Sequence, residues 1–177
     1  GRGPLAGPVV VRALVMPLEE DKLIDGVDDS KKLSEKRREA LYDKLLAVAK
    51  AVSIVRVEPE EIDEINILNA TKKAMRQAVE EIKDKADLAF VDAVKLDLPI
   101  PEVAIIKGDA KSYNIAAASI GAKVYRDRLM YGYDEKYPEY DFASNKGYGT
   151  AKHIAALKEY GATPIHRRSF IKNFVNE

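Results

Sequence analysis

From Val9 to Met16 the chain is almost unbroken in apolar and β-branched residues, interrupted only by Arg12. A strand with one wet face would alternate polar and apolar side chains; a near-continuous run suits a strand covered on both faces. Such a strand needs a layer on each side, and helices supply layers most readily. The rest of the chain provides them. Ser34 opens a helix in which Leu41, Leu45 and Val48 share a face, ending near Lys50. Val52 to Val57 is a short strand closed by Pro59, which begins a helical turn. From Ile67 to about Lys83, Leu68, Thr71, Ala74, Met75, Ala78, Val79 and Ile82 recur at the three-and-four spacing of an amphipathic helix. The small residues Ile115 to Ala122 predict a helix lying close to a sheet and continuing to Met130, and Tyr131 to Gly149, rich in tyrosine, glycine and proline, predicts a loop. A helix from Thr150 to about Tyr160 ends at Gly161, and a last one runs from about His166 to Phe174. The order predicts an α/β fold. At 177 residues it predicts one domain, with sheet and core helices over about 1–131 and a C-terminal loop and helices over about 132–177.

Two short apolar runs have a common design. Leu88 to Val91 leads into Asp92, and Val103 to Ile106 leads, through Lys107 and Gly108, into Asp109 seventeen residues later. Carboxylates carried at the ends of neighbouring strands can converge on a hard divalent cation such as Mg²⁺, although aspartate also suits a plain strand-ending turn. Gly1-Arg2-Gly3 offers backbone that a ligand can approach closely beside a guanidinium, and equally fits a turn. Ser30-Lys31-Lys32 and Lys146-Gly147-Tyr148-Gly149 pair cations with small or aromatic groups, as a sugar–phosphate contact would and as an exposed loop would. His153 and His166 are the only histidines and neither lies in a nucleophile motif; His166 reads as a helix start or a phosphate contact. With no cysteine, disulfides, thiolate catalysis and cysteine-bound metal are excluded. The 29 basic and 29 acidic residues cancel, so a nucleic-acid partner would need a local basic surface rather than bulk charge. No leader-like or membrane-length apolar run is present, which fits a cytosolic protein.

Taken in order, Gly1 to Val10, Asp29-Ser30-Lys31-Lys32-Leu33, the Asn66 to Met75 helix, Val91-Asp92, Lys107-Gly108-Asp109, Ala117 to Asp127, Lys146-Gly147-Tyr148 and His166-Arg167-Arg168-Ser169-Phe170 resemble the successive signatures of type 2 ribonucleases H, the ribonuclease HII family. The resemblance covers the whole chain. It implies a ribonuclease H-like fold, a mixed five-stranded sheet flanked by helices, and an endonuclease that cuts RNA–DNA hybrids and ribonucleotide-containing duplex DNA with two Mg²⁺ or Mn²⁺ ions held by four carboxylates. Asp92 and Asp109 match the third and fourth of these carboxylates. Gly1, Arg2, Gly3 and Tyr148 match the groups that sense the ribose 2′-hydroxyl, and Ser30 and Lys31 match a segment near the substrate. Asp127, after Lys123 and Arg126 on one helix, reads as a salt-bridge residue.

The family pattern also places a strand ending Asp-Glu-Ala before the Gly-Arg-Gly segment, and those two acids are its first and second metal ligands. The expectation is a monomeric, folded domain in which residues upstream of Gly1 complete the sheet and the site. The alternative is a truncated or engineered form that binds hybrid, or only tests the fold, with little or no catalysis.

Overall fold

The computed structural model describes residues 1–17, 19–92, 96–105 and 107–175, without the side chains of residues 109 and 110. Strand β1 (Val9–Val15) is the hydrogen-bonded neighbour of β2 (Ala51–Val57). Between them, α1 (Glu35–Val48) starts where the Ser34 hydroxyl accepts from the Arg37 N–H, a side-chain cap on a donor the helix cannot satisfy itself. Pro59, whose missing N–H costs nothing in a first turn, opens α2 (Pro59–Ile65). Asn66 then takes a left-handed φ of 68°, and its carboxamide oxygen accepts from the Asn69 N–H at the start of α3 (Ile67–Ile82). Strands β3 (Ala89–Asp92) and β4 (Glu102–Ile105) pair in parallel, with Asp92 opposite Ile105. After them come α4 (Gly108–Lys111), the 24-residue α5 (Tyr113–Lys136), α6 (Phe142–Asn145) and α7 (Ala151–Tyr160). This is the α/β mixture that the sequence predicts. Among the described residues the strands form two separate pairs rather than one five-stranded sheet.

Three predictions need correction. The segment Tyr131–Gly149 is not a loop: α5 continues to Lys136, and a 3-10 turn at Pro138–Tyr140 and α6 follow. Its Tyr140 and Phe142 are core, stacked at 5.4 Å between ring centres, with Tyr133 and Tyr137 packed against that core, while Tyr131 and Tyr148 are exposed. The final helix is reduced to a 3-10 turn at Arg168–Phe170, because His166 is drawn into a bridge with Ala6 that a helix could not make. The run through Ile105 ends as a strand before Asp109, which lies in the short helix α4.

The chain divides into two compact units: residues 1–10, 56–71 and 125–177 form one, and residues 11–55 and 72–124 the other. The core of the first gathers Ala6, Met130, Tyr140, Phe142, Ala156, Leu157, Ile165 and Ile171. That of the second gathers Met16, Leu41, Leu45, Ala117, Ile120 and Val124, so the small-residue face of α5 is buried as its composition suggests. At Gly121 of α5 an added Cβ would fall 2.1 Å from Nη1 of the buried Arg12.

Candidate active site

In the second unit, Asp92 is the last residue of β3 and half-buried. Its Oδ1 accepts the Gly108 N–H at 2.9 Å. Lys107 reaches this turn with a φ of 53°, and a Cβ on Gly108 would lie 2.6 Å from Ile115 Cδ1 and 3.3 Å from Asp92 Oδ1, so a side chain there would crowd both unless Ile115 moved. The parallel register and this hydrogen bond bring the backbone of Asp109 next to Asp92. The expected convergence of the two carboxyl groups lies outside the described residues. Among those residues no group of three acids or histidines could hold a metal ion. Asp92 itself fits one in donor type: a hard carboxylate, oriented through one oxygen by a backbone N–H.

The Ser30–Lys31 segment is a 3-10 turn capped by Asp29, whose Oδ1 accepts from the Lys31 N–H at 3.0 Å. Beneath it the buried Arg38 donates through Nη1 to the carbonyls of Ser30 (3.1 Å) and Leu33 (2.6 Å). Ser30 is buried and Lys31 exposed, so only Lys31 of the two presents its side chain to solvent.

In the first unit, residues 1–8 are laced between two distant segments. Leu5 N–H donates to Gly147 O, Gly7 N–H to Ile165 O, and Arg167 N–H to Leu5 O. Gly1 to Gly3 are exposed, and Gly3 lies beside the Tyr148 ring, where a Cβ on Gly3 would make ordinary contact at 3.4 Å; the ring itself is 45% exposed. Two buried guanidinium groups underlie the arrangement. Arg126 donates to the carbonyls of Ala6, Pro8 and Lys146, and Arg167 to those of Gly1, Arg2 and Gly7. Loss of hydration, followed by the like charge of Arg126, pushes Arg167 down to about 9, so it remains a cation at neutral pH. Arg126 is lowered for the same first reason. In sequence both arginines stand within segments that carry the family resemblance, with no role assigned to either. Asp127, next to Arg126 in sequence, is buried, and its charge acts on that guanidinium, which itself donates to main-chain carbonyls.

The reading of His166 as a phosphate contact is also overturned. His166 is 2% exposed, and its Nε2 lies 2.9 Å from Nε2 of the fully buried His153. His166 Nδ1 receives the Thr163 N–H, so its proton is on Nε2 and is donated to His153. His153 then carries its own proton on Nδ1 and donates it to Tyr148 O at 2.8 Å. Burial lowers both imidazoles, His166 to about 3, which matches two neutral rings. Asp63 on α2 is a further anchor, accepting the N–H groups of Arg168 and Ser169 at 2.9 Å each.

The chain is similar to known proteins. The family model for ribonuclease HII matches residues 1–173. The ribonuclease HII of Acetivibrio thermocellus is 56% identical over 99% of this chain and 68% of its own length, and that of Caldanaerobacter subterraneus subsp. tengcongensis is 52% identical over 99% and 72%. The chain belongs to the ribonuclease HII family. Solved relatives agree at lower identity. The ribonuclease H2 of Pyrococcus horikoshii OT3 aligns with a TM-score of 0.79 and 30% identity, covering 96% of this chain and 89% of that one. The RNase HII of Archaeoglobus fulgidus, solved in complex with PCNA, gives 0.79 and 30% over 100% and 94%. By family, then, the chain is an enzyme, a ribonuclease H, and its fold is that of ribonuclease HII.

Proposed function

We propose that this ribonuclease HII is a divalent-metal-dependent endonuclease that cuts RNA in RNA–DNA hybrids and at single ribonucleotides in duplex DNA, leaving 5′-phosphate and 3′-hydroxyl ends. The observation that carries the reading is the apposition of Gly3, in the exposed Gly1–Gly3 segment, to an exposed Tyr148 ring. A ribose differs from a deoxyribose by one hydroxyl, and a backbone able to approach closely beside an aromatic face can bind that hydroxyl while the ring packs on a neighbouring sugar. Gly108 orients Asp92 through its N–H, and Lys31 offers an exposed cation to a phosphate. Asp92 and Asp109, with the further carboxylates of the family pattern, would hold Mg²⁺ or Mn²⁺, which would supply charge neutralisation at the reacting phosphate and a more acidic water. Binding without cutting is the second reading, favoured by the exposure of Lys31 and Tyr148, groups that hold a substrate without reacting with it. A labelled duplex with one ribonucleotide, incubated with Mg²⁺, with Mn²⁺ or with chelator, tests both readings. Metal-dependent scission at the ribonucleotide with the stated ends supports the first; a gel shift without scission supports the second. Equal cutting of an all-DNA duplex would refute the ribose-sensing role of Gly1–Gly3 and Tyr148.

A further inference from the structure

We infer that Arg167 is a positioning residue that turns the amides of Arg2 and Gly3 into a preorganised pair of donors for a substrate oxygen, which, resting on the function proposed above, is the ribose 2′-hydroxyl. Arg167 is fully buried and directs Nη2 to Gly1 O (2.6 Å), Nη1 to Arg2 O (2.9 Å) and Nε to Gly7 O (2.9 Å). In a trans peptide plane the N–H points away from the carbonyl. Holding the oxygens of Gly1 and Arg2 against the guanidinium therefore aims the next two N–H groups, those of Arg2 and Gly3, in the opposite sense. Both residues are exposed, and Gly3 lies against Tyr148. A cation on the carbonyl also polarises the peptide, which makes its N–H a better donor. Lysine could keep the charge but not three carbonyls at fixed angles, because only the planar fork sets them together. Arg126 completes the support by holding Ala6, Pro8 and Lys146, so the loop and the residue two before Tyr148 share one base.

The test measures metal-free binding of the wild type and of R167K to a duplex with one ribonucleotide and to the identical all-DNA duplex. Phosphates are common to both duplexes, so a phosphate contact alone would change both affinities together. The wild type should prefer the ribonucleotide, and R167K should lose about tenfold of that preference, the scale of one good hydrogen bond. Its all-DNA affinity should stay within about twofold of the wild type. An undiminished preference, or equal loss on both duplexes, would overturn the inference. If the wild type itself shows no preference, the proposed function fails, and nitrogen-15 relaxation decides the positioning role separately. Arg2 and Gly3 amides with order parameters near about 0.85 in the wild type and below about 0.6 in R167K would sustain it, and mobile amides in the wild type would end it. Should R167K not fold, scalar couplings across hydrogen bonds from Arg167 to the Gly1 and Arg2 carbonyls in the wild type decide the matter: with ordered amides they sustain the role, and their absence overturns it.

Discussion

At the scale of single residues, the first unit places two cations and two imidazoles in its buried interior. Tyr148 is the exposed partner of that arrangement, and its ring rather than its hydroxyl is what faces Gly3. Tyr148→Ala should weaken binding of a ribonucleotide-containing duplex by about 1–3 kcal/mol, while Tyr148→Phe should keep most of it; titration by fluorescence anisotropy compares them. The histidine pair makes a separate prediction. Both imidazoles are lowered from the ordinary 6.5, so the unfolded chain takes up protons that the folded chain refuses. Stability is therefore complete above about pH 6.5 and falls as pH drops toward 3, by about 1.4 kcal/mol per pH unit for each proton of difference. A second proton on His153 would also set two N–H donors face to face across the 2.9 Å contact. The melting temperature should drop between pH 7.5 and 5.5, where carboxylates hardly titrate, and the drop should shrink in His166→Asn. A flat profile in the wild type would contradict the neutral pair.

Helix α5 shows how an element can hold two opposite lessons on the same backbone. Both Gly121 and Gly132 lie in its interior, where alanine is favoured by about 1 kcal/mol. A Cβ at Gly132 meets nothing within 4 Å, whereas at Gly121 it would meet Arg12 Nη1 at 2.1 Å and Cδ at 2.4 Å. Gly132→Ala should thus stabilise by up to about 1 kcal/mol, and Gly121→Ala should destabilise by about 1–3 kcal/mol as Arg12 is forced off the Tyr42 ring it covers. Urea denaturation of the two variants measures the contrast. A similar loss of about 1 kcal/mol is expected for Thr150→Ala, since Thr150 Oγ1 caps α7 by accepting the His153 N–H. Caps and periodicity of this kind were legible beforehand: Ser34, Thr150 and Gly161 stand at the ends of α1 and α7, and the three-and-four spacing of α3 runs its full length. The aromatic stretch from Tyr131 was not, because Tyr, Gly and Pro are as common in loops as in a core of stacked rings, and only the partners of Tyr140 and Phe142 distinguish the two.

Across the whole molecule, the candidate residues are shared between the two compact units, with Gly1–Gly3 and Tyr148 in one and Asp92, Asp109, Ser30 and Lys31 in the other. The family pattern adds two acids before Gly1, so a chain extended upstream by a strand ending Asp-Glu-Ala should cut a single-ribonucleotide duplex in Mg²⁺ at least about 100-fold faster than residues 1–177 alone, since metal electrostatics supply several kcal/mol of the barrier. Equal rates would mean that other groups complete the site. Family, fold class and the identity of Asp92, Asp109 and Tyr148 as candidates could all be read from the chain, because strand runs, helical spacing and short motifs are local properties. Gly1–Gly3 belongs with them, as backbone freedom is written in the residue type. What tertiary structure alone decided is how that backbone is held. Arg167 and Gly1 are separated by 166 residues and Arg126 and Pro8 by 118. In sequence an arginine or a histidine reads as a surface charge or a phosphate contact, since burial of either is costly without partners. Only the folded chain brings six carbonyls to two guanidinium groups and one imidazole to another, and that satisfaction of buried donors is what makes their burial possible.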